Sequence, residues 1–138
     1  MAVFIGSTIV ASAQNVSFTS FPIPTPGSGP SSIVAGPDGA LWFTEYNSSK
    51  VARITTAGAV SEFVTGITPG VCFGAIAAGP DGSLWVAMSN LPDGSGPILR
   101  FNTAGAITGS FATPEPASCA ASMTPGPDGA LWTGQLAW

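Results

Sequence analysis

Cys72 and Cys119 are the only cysteines of a 138-residue chain that contains no histidine. Each stands four residues before an apolar residue, Ile76 and Met123. A thiolate nucleophile needs an adjacent base or cation to lower its pKa, and the chain has no histidine to act as one. Two cysteines without histidine also fall short of the usual four-ligand zinc site. In an oxidising compartment the two could pair. Small half-buried packing residues or a disulfide is the preferred reading, and a thiol-based site is the alternative.

The carboxylates point to structure more than to reaction. Asp38, Asp81 and Asp128 recur in the tetrapeptide Gly-Pro-Asp-Gly. Calcium takes about six to eight oxygens, so one carboxylate per turn reads as a turn cap. Glu45 is not repeated, because Met88 and Gln135 stand at its equivalents, which favours a local hydrogen bond. Lys50, Arg53 and Arg100 are the only cations. They are too few to neutralise a run of phosphates, and no glycine-rich loop precedes Lys50, so nucleic acid is not an expected partner.

Seven acidic and three basic residues, with 18 Gly and 13 Pro, describe a turn-rich globular chain. Residues 1–13 read as a signal-peptide-like segment, an uncharged apolar run ending in Ala11-Ser12-Ala13. Cleavage there would make Gln14 the N-terminus and the protein secreted or periplasmic. The run is shorter than the ~20 apolar residues of a membrane helix, so no stable membrane span is expected. No Lys or Arg precedes it, which suggests that Met1 is internal to a longer signal. A frayed N-terminal strand is the alternative.

A repeat organises the remainder. Gly-Pro-Asp-Gly begins at residues 36, 79 and 126, giving steps of 43 and 47 residues. "TTAGAV" around Gly58 and "NTAGAI" around Gly105 form a second marker, and Phe21, Phe63 and Phe111 form a third. The extra residues of the longer step fall between the first two markers, where loop variation on a fixed scaffold belongs. In each first marker proline presets φ, aspartate suits the next position, and glycine accepts positive φ: Pro37, Asp38, Gly39; Pro80, Asp81, Gly82; Pro127, Asp128, Gly129. Each is expected to be the structural turn of a hairpin.

The flanking runs are short and rich in β-branched or aromatic residues, which predicts strands near 31–35, 40–45, 51–56 and 59–64. Four antiparallel strands per period of this length predict an all-β fold, a partial β-propeller. The expected parts are an outer strand at 16–23, blades at 31–64 and 74–112, and a half blade at 120–138. Trp42, Trp85 and Trp132 are expected to be structural core between blades, since aromatics bury the most area per residue.

"GPDGALWFTEYNSSKVARITTAGAVSEF", followed by a further "GPDGSLW", resembles the streptogramin lyases, the virginiamycin B lyase family, over nearly all of residues 16–138. Weaker likenesses exist to two-component-regulator and NHL-type propellers. The resemblance implies a seven-bladed ring that opens a cyclic depsipeptide antibiotic by elimination across its ester carbon–oxygen bond. It also implies a histidine as acid or base, assisting glutamates, and a magnesium ion near the lactone in a complete member.

The family's catalytic histidines lie in a Pro-His-x-Ile context two residues before the inner-strand apolar residue. The matching positions here are Ser31, Gly74 and Ala121. The family glutamate two residues earlier is matched by Gly29, Cys72 and Cys119. Ser31, Cys72, Gly74, Cys119 and Ala121 are therefore candidates to line one end of a central channel, and no residue of the chain is assigned as catalytic, cofactor-binding or metal-binding.

An open row of blades leaves apolar flanks. The expected partners are the remaining blades of a longer chain, with catalytic blades beyond Trp138, or a second copy. A small-molecule ligand is also expected. Two functions follow: a streptogramin-lyase-like propeller for which this piece is scaffold without the base, or an exported non-catalytic propeller used for binding.

Overall fold

The computed structural model describes residues 17–67, 74–87, 96–113 and 118–137. The signal-like segment at residues 1–13 and Cys72 lie outside them. Among the described residues every regular element is a strand, and no helix is long and apolar enough to cross a membrane.

The first sheet contains β1 (Pro30–Ala35), β2 (Leu41–Glu45), β3 (Lys50–Ile54) and β4 (Val60–Val64), in that order. The second contains β5 (Ala75–Ala78), β6 (Leu84–Ala87), β7 (Ile98–Phe101) and β8 (Ile107–Phe111), again in order. β9 (Ser118–Pro125) and β10 (Leu131–Ala137) form a third sheet of two strands. All neighbours are antiparallel. The expected all-β blades are therefore present, as two four-stranded sheets and one pair.

The blades stack because the second strand of each four-stranded sheet is buried on both faces. In β2, side chains alternate between faces, yet Trp42, Phe43, Thr44 and Glu45 are all buried. Trp42 and Val51 of the first blade meet Ile76, Leu84, Val86, Leu99 and Phe101 of the second in one continuous core. The opposite face of the first blade buries Phe43, Ala52 and Ile54, against which Phe21 and Ile23 pack. Ala75, Ala87 and Ala120 join the second blade to the third sheet. Small side chains at that contact let the inner strands approach closely.

Two departures from the sequence-based expectation stand out. Residues 17–23 form no strand. An outer strand needs a third strand of its own sheet as partner, and instead this segment lies on the first blade through Phe21 and Ile23. Trp132 does not enter a core: it is 60% exposed, against 0% for Trp42. No third and fourth strands and no following blade cover its face among the described residues.

The repeated phenylalanine and the repeated Gly58/Gly105 marker explain each other. Phe63 stacks on Trp42 of its own blade, ring centroids 5.4 Å apart. Its ring edge also occupies the space beside Gly105 in the next blade, where an added Cβ would lie 2.0 Å from Phe63 Cδ1. Phe21 sits likewise at Gly58, with a Cβ gap of 2.3 Å. Gly105 has φ +82°, so glycine is required there for both conformation and space. Gly39 has φ +76° but open space around it. Gly105→Ala is therefore expected to destabilise the protein by roughly 3 kcal/mol, the sum of left-handed strain and overpacking. Gly39→Ala is expected to cost only about 1 kcal/mol. Urea unfolding of the two variants checks the difference, and equal losses would remove the interlocking role assigned to Phe63.

Candidate functional site

Three turns, the ends of the inner strands, and one buried polar cluster are the places where polar chemistry concentrates. At the turns, the Gly36 amide donates to Ala40 O at 2.8 Å and the Gly39 amide to Gly36 O at 3.2 Å. Asp38 then accepts from the Trp42 indole Nε1 at 3.0 Å and from Arg53 Nε at 2.6 Å. Arg53 stands opposite Trp42 in the β2–β3 ladder, which is what brings it to the turn. A Cβ on Gly36 would lie 2.4 Å from the indole, so the first glycine of the motif makes room for the tryptophan.

The second and third turns repeat the arrangement. Asp81 accepts from the Trp85 indole at 3.1 Å and from the Ser83 amide at 3.1 Å, and pairs with Arg100 at 2.9 Å. Asp128 accepts from the Trp132 indole at 3.1 Å and from the Ala130 amide at 3.1 Å. Pro37, Pro80 and Pro127 are exposed at the corners. The three turn carboxylates are thus committed to indole, amide or guanidinium donors, as a turn cap requires.

Partial burial acts to raise the Asp38 pKa, but hydrogen bonds from Arg53, Trp42 and the Ala40 amide outweigh it and hold the carboxyl below its usual range. Asp81 is lowered in the same way: burial opposes, and Trp85, the Ser83 amide and Arg100 prevail. The Trp132 hydrogen bond is the main cause of lowering at Asp128.

The channel-end candidates are less alike than their repeat positions suggest. Ser31 and Ala121 are exposed, on β1 and β9. Gly74 is buried just before β5, its carbonyl accepting from Thr44 Oγ1 at 2.9 Å. A side chain at Gly74 would press on Thr44 and on the Ala87 carbonyl at 3.3 Å. Thr44 thereby ties the second strand of one blade to the inner strand of the next. Cys119 belongs to β9 and pairs with Leu136, and its side chain, like all of Cys72, lies outside the described residues.

A cluster that motif spacing does not reveal lies at the end of the first blade. Glu45 is wholly buried, and Ser48 Oγ donates to its Oε2 at 2.7 Å. That is the local hydrogen bond expected of it. Lys50 Nζ reaches Glu62 Oε2 and Thr25 Oγ1, both at 2.6 Å. The Thr25 amide and hydroxyl donate to Glu62 at 2.9 and 2.7 Å. The only sequence signal for this cluster is ladder register, with Lys50 opposite Glu45 and Glu62 two positions from the residue facing Lys50.

The described residues do not fit a magnesium ion. No three His, Cys, Asp or Glu side chains gather among them, and Glu62 already carries the Lys50 ammonium. A divalent cation demanding several oxygen ligands would have to displace a bonded lysine.

The profile of the virginiamycin B lyase family matches residues 4–137. Virginiamycin B lyase of Saccharopolyspora erythraea is 43% identical over 49 residues, 36% of this chain and 16% of that protein. The crystal structure of virginiamycin B lyase from Staphylococcus aureus superposes with a TM-score of 0.74 at 33% identity, covering 86% of this chain and 38% of that one. A catalytically inactive histidine-to-alanine variant of the Staphylococcus aureus enzyme with quinupristin aligns at TM-score 0.72 and 31% identity, again over 86% of this chain and 38% of that one. The chain therefore spans well under half the length of these relatives.

Each lowered carboxyl binds fewer protons in the folded than in the unfolded state. Its contribution is present above the ordinary carboxylate pKa and is lost as pH falls through its folded value. Stability from the three turns is expected to decline as pH drops from about 5 towards about 2. Asp38→Ala, which strands the Trp42 indole donor and the Arg53 guanidinium, is expected to cost about 2 kcal/mol at neutral pH and to flatten that decline. Asp128→Ala at the exposed turn is expected to cost measurably less. Urea midpoints recorded across this pH range check both.

Proposed function

Because the chain belongs to the virginiamycin B lyase family, we propose that it is the scaffold portion of a streptogramin-lyase-like propeller. In this reading it supplies part of the wall around a cyclic depsipeptide antibiotic, and blades outside these 138 residues supply the proton-transfer groups. The observation that carries it is the pairing of a family match over residues 4–137 with the complete lack of histidine. At the three repeat positions where the family pattern places its histidine, the chain has Ser31, Gly74 and Ala121.

Ester elimination needs a base to take a carbon-bound proton while the carboxylate leaves. The bond between the ester oxygen and its alkyl carbon breaks, an alkene forms, and the ring opens without gain of water. None of the acidic side chains described here is suited to be that base. Asp38, Asp81 and Asp128 are held ionised by their own turns, Glu62 is bonded to Lys50 and Thr25, and Glu45 is wholly buried, out of reach of a ligand. What this portion offers a ligand is surface: the exposed Ser31 and Ile33 of β1 and Ala121 of β9.

A second reading, an exported binding propeller without catalysis, is favoured by the signal-like Ala11-Ser12-Ala13 segment. The two diverge on one experiment. The DNA flanking these codons is sequenced, the complete protein is produced, and quinupristin is incubated with it and followed by mass spectrometry. The lyase reading expects downstream Pro-His-x-Ile copies and a linear product of unchanged mass, while the 138-residue chain by itself leaves quinupristin intact. A complete reading frame that closes its ring without histidine, or a full protein that binds quinupristin and returns it unopened, would overturn the lyase reading in favour of binding.

A further inference from the structure

Glu45, Lys50 and Glu62 emerge on one face of the first blade. Glu45 stands opposite Lys50 between β2 and β3, and Glu62 on β4 stands opposite Ala52, two residues along from Lys50. Side chains two apart on a strand share a face. The segment carrying Thr25 lies over this face, bonded to Glu62 through both its amide and its hydroxyl.

The donors are unevenly shared. Lys50 Nζ gives its short contacts to Glu62 and Thr25, so Glu62 has an ammonium, a hydroxyl and an amide. Glu45 has the Ser48 hydroxyl on Oε2 alone, while its Oε1, fully buried, meets no donor. A buried carboxylate in that state is costly: burial penalises the charge, and a second carboxylate beside it repels it. Adding a proton to Oε1 removes both penalties and turns an orphan acceptor into a donor, with the Glu62 carboxylate on the same face to receive it.

We propose that Glu45 is a neutral carboxylic acid in the folded protein, its Oε1 hydroxyl donated to the Glu62 carboxylate, and that this proton latches the segment around Thr25 onto the first blade. With Glu45 neutral, one ammonium faces one carboxylate and the cluster is balanced. Loss of the proton sets a buried and a half-buried carboxylate against Lys50, which is then shared between them, and Glu62 loosens its hold on Thr25.

Among the described residues no other charge compensates on this face. Residues 17–37, which cover the segment and β1, contain no Asp, Glu, Lys or Arg. Asp38 and Arg53 pair with each other at the far turn. Tyr46, next in the chain, is the remaining titratable group of the turn and has an interaction partner of its own. Burial first, and then the Glu62 charge, raise the Glu45 pKa against the opposing Ser48 hydrogen bond and Lys50 charge. A group raised in the folded state contributes its stability fully below its unfolded value and loses it as pH rises through the folded one. The latch therefore opens on the alkaline side, opposite in direction to the acid sensitivity of the turns.

Carboxyl 13C shifts of the 138-residue chain, followed against pH, test the protonation directly. Glu45 is expected to keep the shift of a protonated acid after Glu62 and the three turn aspartates have ionised. A Glu45 carbon that titrates together with them would overturn the proposal. Amide exchange at Thr25 tests the latch: corrected for base catalysis, it is expected to accelerate about tenfold or more in the wild type as Glu45 ionises, equivalent to one pKa unit of coupling. Glu45→Gln keeps a neutral donor towards Glu62 and is expected to hold Thr25 exchange flat over the same range. The same acceleration in Glu45→Gln, or none in the wild type, would sink the latch even if the acid is neutral.

Discussion

The Trp42 indole is gripped on two sides. Its Nε1 is fixed by the Asp38 carboxylate at the hairpin turn, and its ring is covered by Phe63 from the outermost strand of the same sheet. Because Phe63 also fills the space beside Gly105, the ring that braces one blade is also the surface on which the next one rests. A buried aromatic pair contributes through its large apolar area and, in offset geometry, by about 0.5–1.5 kcal/mol more. Turn, strand pairing and blade stacking all converge on this contact, and it is repeated in part by Trp85 with Phe111, ring centroids 5.3 Å apart.

Repetition of the contact sets the direction in which blades add. Trp42 faces the following blade, and Phe63 reaches forward to Gly105 of that blade. The N-terminal segment acts on the first blade as a preceding blade would: Phe21 takes Gly58, and Ile23 covers the core of Phe43, Ala52 and Ile54. Trp132 and Phe111 are at the other extreme of the same rule. Among the described residues Trp132 has its aspartate but no phenylalanine over it, and Phe111 has its tryptophan and lies beside Gly109 of its own strand but meets no turn glycine of a following blade, so both are exposed.

Charge follows the same economy. Arg53 and Arg100 brace turn aspartates, and Lys50 holds Glu62. With all three cations of the chain committed, its electrostatics are those of a frame. The likeness to virginiamycin B lyases then rests on parts that position blades, which is consistent with a family match extending through regions that hold no histidine. Of the repeated residues, nearly all find a structural task, and the exposed Ser31 and Ala121 on the inner strands are the ones free to meet something else.

Period, hairpin turns and strand identity were legible in the amino-acid order, because they depend on neighbours a few residues apart: proline and glycine at fixed offsets, a carboxylate four residues before an indole, alternating apolar side chains. The task of Gly58 and Gly105 was not legible, since a glycine at positive φ looks the same whether or not a distant ring presses on it. Nor was the separate fate of Trp132, whose local sequence equals that of Trp42 while its burial depends on strands from elsewhere. Glu45 shows the division most sharply. Its lack of repetition marked it as local, but its isolation from Lys50 arises only when β4 and the Thr25 segment draw the lysine away, and competition for a donor is a property of the assembled face.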